Sequence, residues 1–312
     1  MPQTRGTFAA LYDNVDKTVL MLLGEQLKKL PVIYTRYFNV KTSQKKFERL
    51  VTGVGFTSIP EKPEGAPYST DQFQQGYTKD FTHVEFGRMY EVTETALEDD
   101  EYDVLKQNAK WLTYAARYTQ ETYAANVLNN GFSTAGTAGT ENCADGTGIF
   151  NTAHPLKRGG TTSNRHASDD DLSATSLMQA IVDLQTGTKL DSGQLVMPIQ
   201  SFVLVVPPAL EAMAFRLLKS EGLPGVADND KNPIKGLRSW TVIVNPLLTD
   251  SDAWFVFGAD KSMHGLTSYQ RVPISVKQPE PDARTGNRLY KLRFRQCWGC
   301  MTWQNLYGSA GS

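Results

Sequence analysis

The chain has 312 residues, enough for one large domain or two ordinary ones, so no disulfide or metal staple is needed to complete a core. Its 32 Lys and Arg against 33 Asp and Glu leave a formal charge of −1, which excludes the net basic field of a DNA-reading or lipid-gripping protein. Three cysteines without framework spacing fit cytoplasmic synthesis, and the apolar run "VLMLL" at 19–23 is too short to span a bilayer and follows Asp13 and Asp16 where a signal peptide would be basic.

Residues 1–40 read as an arm: a short amphipathic helix around Val15 to Leu30, stopped by Pro31, then the extended "VIYTRYFNV". Two strand-like runs follow, "VTGVGFTSIP" and "YTKDFTHVEFGRMYEV". The stretch between them, "EKPEGAPYSTDQFQQG", has Pro and Gly that cannot continue a sheet. This predicts a long β-hairpin, which alone is marginal in water and must lean on something else.

At Thr95 the period changes to that of a helix, with Thr95 and Glu98 spaced as a capping box and acidic residues crowding the first turn. Leu97, Val104, Leu105, Trp111, Leu112, Ala115, Tyr118 and Val127 recur at helical spacing until Gly131, a rod of roughly 50 Å. A low-complexity loop, "GFSTAGTAGTENCADGTG", leads into "GIFNTAHPLKRGG". From Ser168 the pattern is α/β: a helix near Leu172 to Leu184 entered through "SDDD", the buried-looking strand "SFVLVVP", a helix from Pro208 to Lys219, and strands "WTVIV" and "AWFVF". Strand patterns return after Lys261, in "YQRVPISVKQPE" and "RLYKLRFRQCWGCMTW" around the turn-like "PDARTGN".

The chemistry-bearing residues are sparse. Cys143 and His154 could form a nucleophile–base pair, but the sequence offers no third group to orient the base and no G-x-S-x-G elbow, and Pro155 suits an ordinary extended loop. Cys297 and Cys300 have the spacing of a redox or zinc half-site. No second half completes it, and a continued strand would send the two to opposite faces, so they read as buried free thiols. "DNDKNPIKG" imitates half a calcium loop, yet Pro233 stands where Gly is needed and Ser239 where Glu is needed. The runs "EDDEYD" and "SDDD" are better explained by helix dipoles, and the basic cluster Lys41, Lys45, Lys46 and Arg49 by a solvated face or a subunit contact. With no Walker motif and no G-x-G-x-x-G either, neither a catalytic residue nor a cofactor or metal site is expected. An arm, a projecting hairpin and a long helix without chemistry imply contacts with identical neighbours, as in a shell.

The order of "VTGVGFTSIPEKPEG", "YAANVLNNGF", "IFNTAHPL", "DLSATSLMQAI", "LVVPPALEAMAFRLLKSE", "VIVNPLLTDSDAWFVF" and "TGNRLYK" resembles the major head protein of Mu-like tailed phages over nearly the whole chain. The resemblance implies an α+β Hong Kong 97-type capsid fold. Residues 1–45 would be an N-terminal arm, 46–92 an extended loop, 93–170 a peripheral domain with its spine helix, 171–265 an axial domain, and 266–312 strands returning to the peripheral domain. It implies no enzyme and no cofactor, but self-assembly as pentamers and hexamers into an icosahedral head that encloses double-stranded DNA. Portal and scaffold proteins would be partners, cement proteins are left open, and any scaffold is expected to be a separate chain. No motif places the covalent Lys–Asn cross-link of one branch of this fold. The hairpin residues Phe56, Ile59, Pro60, Tyr68, Phe73, Tyr77 and Phe81 are the expected subunit contacts. Two alternatives stand beside this reading: a same-fold nanocompartment that packages an enzyme, and a cysteine-dependent hydrolase.

Overall fold

A computed structural model describes residues 21, 24–93, 102–133, 142–196, 199–222, 231–281, 285 and 287–312. Residues 21 and 24–29 are helical and Leu30 ends the helix, while residues 15–20, 22 and 23 of the expected arm helix lie outside the described residues. The stretch expected to be extended opens instead with a 3-10 turn at Tyr34–Arg36, because Glu121 accepts the amides of Ile33 (2.7 Å) and Tyr34 (3.0 Å) and so curls the chain. Strand β1, Asn39–Thr42, follows.

The hairpin pairs β2, Phe47–Gly53, with β3, Gln75–Thr82, antiparallel. It is shorter than the sequence suggests. Residues 54–74 form the tip, and the run read as one second arm breaks at His83, beyond which β4, Val84–Val92, joins another sheet. His83 meets Ser43 Oγ at 3.1 Å and Cys297 Sγ at 3.6 Å, which pins the break.

Helix α1, Tyr102–Asn129, spans about 42 Å. Its expected capping box at Thr95 and Glu98 lies outside the described residues. Leu112, Ala116, Ala124, Val127 and Leu128 face the core, whereas Trp111 and Tyr118, read from spacing as part of that stripe, are exposed. The helix stops as expected: the Gly131 amide bonds the Leu128 carbonyl, and a Cβ on Gly131 would lie 2.8 Å from the Phe150 ring.

α1 covers a four-stranded sheet, ordered β1-β10-β11-β4, in which β10 is Leu266–Pro281 and β11 is Arg288–Cys300. Along β11 the residues Tyr290, Leu292, Phe294, Gln296 and Trp298 are buried, while Lys291 points to solvent. A second sheet is ordered β12-β9-β7-β8. In it β7 (Ser201–Val206) runs parallel to β8 (Ser239–Val244), while β9 (Trp254–Gly258) and β12 (Leu306–Ser309) are antiparallel. The last strand of the tail thus closes this sheet rather than lying with β10 and β11.

The second sheet has a core on each face. Val203, Val205, Phe255 and Phe257 join the α1 side. Phe202, Leu204, Val206, Trp254 and Val256 face α2, Ala174–Thr186, and α3, Glu211–Lys219. Burial on both faces explains the unbroken apolar run of β7. Entry to α2 differs from the dipole explanation: Ser173 and Ser176 form a reciprocal cap, and no acid lies in the first turn. Asp169 instead pairs with Arg165, and the Asp171 carboxylate accepts the Ser312 amide. Asn232 caps the short α4, Pro233–Leu237, and Asp228 and Asp230 lie outside the described residues. No described helix is long and apolar enough to cross a membrane.

Candidate assembly surface

His154 lies in the two-residue strand β5, His154–Pro155, which pairs with β6, Thr161–Thr162. It is fully buried: its Nδ1 faces Asp145 Oδ2 at 2.7 Å, its Nε2 faces Asn164 Oδ1 at 2.9 Å, and its ring stacks on Trp303 at 4.7 Å. Asn164 in turn donates to the Ile149 carbonyl at 2.7 Å. Burial raises the Asp145 carboxyl, but the bonds from His154 and Thr147 outweigh it and hold it below the ordinary carboxylate range. Asp145 is the orienting group that sequence reading missed, nine residues upstream, because nothing periodic marks it. It still makes no catalytic pair, since both ring nitrogens of His154 are occupied and Cys143 turns elsewhere.

Cys143 Sγ lies 3.4 Å from Cys300 Sγ, and Cys297 sits on the opposite face of β11 against Phe81 and Tyr269, as the strand parity requires. All three thiols are free and buried. Burial pushes Cys143 well up and Cys297 up to about 11, which suppresses the reactive thiolate. Among the described residues no cluster of three or more His, Cys, Asp or Glu could hold a metal. In the basic cluster Lys45 pairs with Glu48 and Arg49 with Asp80, and the others face water.

Exposed aromatic and apolar groups gather on the hairpin tip and α1, while Phe215, Leu195, Leu237 and Met263 are exposed singly elsewhere. At the tip Phe56 is exposed, Ile59 is 95% exposed, Pro60 is exposed, Tyr68 is 82% and Phe73 71% exposed. Two of the expected contact residues differ. Phe81 is 0% exposed and packs on Tyr269 at 5.4 Å, so it roots the hairpin rather than meeting a neighbour. Tyr77 is half-buried, its hydroxyl donating to the Pro155 carbonyl at 3.0 Å. Lys79, beside them, is buried and donates to the Cys300 carbonyl at 2.9 Å. On α1, Trp111, Tyr114 and Tyr118 form an exposed aromatic ridge, centroids 6.2 and 6.3 Å apart. Helical spacing picks out Trp111 and Tyr118 of this ridge but not Tyr114, and it does not distinguish an exposed face from a buried one.

A family model described as phage capsid protein matches residues 76–307. The chain belongs to the phage capsid protein family. It is a major capsid protein, a subunit of an icosahedral head, and the match favours this over the nanocompartment alternative. The capsid of cyanophage P-SCSP1u has a TM-score of 0.58 to this capsid protein at 11% identity, covering 89% of this chain and 87% of the other. The procapsid of bacteriophage JBD30 gives 0.52 at 17% identity, covering 98% and 76%. A virus-like particle from Pyrococcus furiosus gives 0.51 at 10% identity, covering 94% and 97%. These likenesses share the Hong Kong 97-type capsid fold, and they do not single out the Mu-like branch. No curated relative matches the chain.

Proposed function

We propose that the capsid protein assembles as pentamers and hexamers through its hairpin, closing a head that encloses double-stranded DNA without sequence-specific contacts. The observation that carries this reading is the hairpin tip: Phe56, Ile59, Tyr68 and Phe73 are apolar, clustered between residues 54 and 74, and uncovered by their own subunit. An isolated monomer gains nothing from such a tip, whereas a symmetric neighbour buries it on every copy.

On this reading residues 1–45 are the arm, 46–92 the extended loop, 93–170 with most of 266–312 the peripheral domain, and 171–265 the axial domain, with β12 returning to the axial sheet. The protein is made in the host cytoplasm and acts as a structural protein rather than an enzyme. It joins portal and scaffold proteins, and cement proteins where the head is decorated. A Mu-like phage is the proposed source. Removing the hairpin between Gly53 and Gly76 tests the assembly role: a folded subunit that forms no regular shells is the expected result, and normal shells would overturn it.

A further inference from the structure

We propose that the segment His154–Arg158 positions the extended hairpin on the subunit by holding it at two points, a fixed root and a releasable tip. The inference rests on the reading of the hairpin as the assembly arm and names the residues that set its direction.

At the root, the Lys157 ammonium lies 3.9 Å from the centre of the Tyr77 ring, and the Tyr77 hydroxyl bonds the Pro155 carbonyl. Buried Phe81 and Lys79 continue this anchorage into the body. At the tip, Arg158 Nη2 donates to both Asp71 oxygens, at 3.0 and 3.2 Å, and reaches the Gly55 carbonyl at 3.4 Å. Asp71 Oδ2 also accepts the Thr57 amide at 3.0 Å and hydroxyl at 3.1 Å. One carboxylate therefore joins both halves of the loop to the body.

The segment that provides these groups is itself rigid. His154 is held by Asp145 and Asn164 against Trp303, and the Arg158 amide bonds the Asp191 carbonyl at 3.3 Å. The two points differ in kind. The root rests on the buried Phe81 ring, the half-buried Tyr77 ring and main-chain acceptors. The tip rests on a half-exposed ion pair, with side chains 24% and 30% exposed, which salt or a competing neighbour can displace. Between them the strand register shifts at Gly53, and Gly76 packs so close to Thr52 that a Cβ would lie 2.8 Å from its carbonyl oxygen. Strand pairing ends at Gly53 and Gln75 with one further bond, from the Val54 amide to the Gln74 carbonyl, so beyond it the Arg158–Asp71 clamp sets the direction of the tip.

The test places spin labels at Glu64→Cys and Ser168→Cys and measures their distance distribution by electron paramagnetic resonance in unassembled subunits. The parent protein at low salt should give one narrow distribution. Arg158→Gln and Asp71→Asn should each add a second, displaced population, as should raised salt in the parent. The reversed pair Asp71→Arg with Arg158→Asp should restore the narrow one. Particles from the two single variants should be fewer or irregular, and those from the reversed pair regular again. A distribution unchanged by Arg158→Gln, or a displaced tip with shells formed as in the parent, overturns the proposal. If the parent builds no shells at all, the assembly reading fails, while the distance distributions still decide whether the clamp exists.

Discussion

Strand β7 and the hairpin tip are opposites in burial: five consecutive residues of β7, Phe202–Val206, are buried between two cores, while the tip, rich in Pro, Gly and charge, turns its few large apolar groups into solvent. The cores on either side of β7 are complete within one subunit, whereas on the proposed reading the tip is covered only by another copy. Any substitution in the first region should act on folding, and any in the second on assembly.

The sharpest contrast comes from Phe150. Its ring meets Phe132, Phe255 and Phe257 and lies over Gly131 and Gly308. Phe150→Ala should cost about 3–5 kcal/mol in urea unfolding, because the packed rings cannot close the cavity. His154→Ala leaves Asp145 and Asn164 facing an emptied site and should cost about 3 kcal/mol in the same measurement. An unchanged midpoint in either variant would break the comparison from the body's side.

Acid separates the regions further. Burial holds the His264 imidazole down to about 4, so the folded protein binds fewer protons than the unfolded chain between there and the ordinary histidine range. Its contribution is complete above that range and is lost as pH falls towards 4, by about 3 kcal/mol, and His264→Gln should flatten the profile. The tip should not respond over this interval. The Thr57 amide and then Arg158 hold the Asp71 carboxyl down to about 2, so it stays ionised while the body weakens. Unfolding midpoints and label distances measured across one pH series check both halves.

The smallest effect on folding is expected at the tip itself. Ile59→Ser should shift stability by no more than about 0.5 kcal/mol, as at other exposed positions, and yet depress shell formation seen by light scattering. Loss of stability without loss of assembly would reverse the roles assigned to the two regions.

The same contrast explains what could be read from the sequence. α2, β7, α3, β8 and β9 follow one another in the chain with the short α4 among them, their apolar patterns are set locally, and their order was legible. The break at His83 was not, because polar and apolar residues alternate on both sides of it and the cause, contact with Ser43 and Cys297, is remote. Phe81 and Ile59 both read as exposed hairpin residues, and only the presence of Tyr269 on β10 buries one of them. The partners of His154 at Asp145, Asn164 and Trp303 follow no period, so a lone histidine in a loop proved to be a structural anchor. In the acidic run before α2 the serine cap, not the charge, does the capping, a distinction the residue types alone do not make.

The central claim is that this chain is a shell subunit whose hairpin meets a neighbour. Cryo-electron microscopy of particles formed by the chain tests it most directly. The account predicts closed shells in which Phe56, Ile59, Tyr68 and Phe73 lie against an adjacent copy while Phe81 stays inside its own subunit. Shells in which the tip projects freely into solvent, or a protein that remains monomeric beside its head partners, would contradict it.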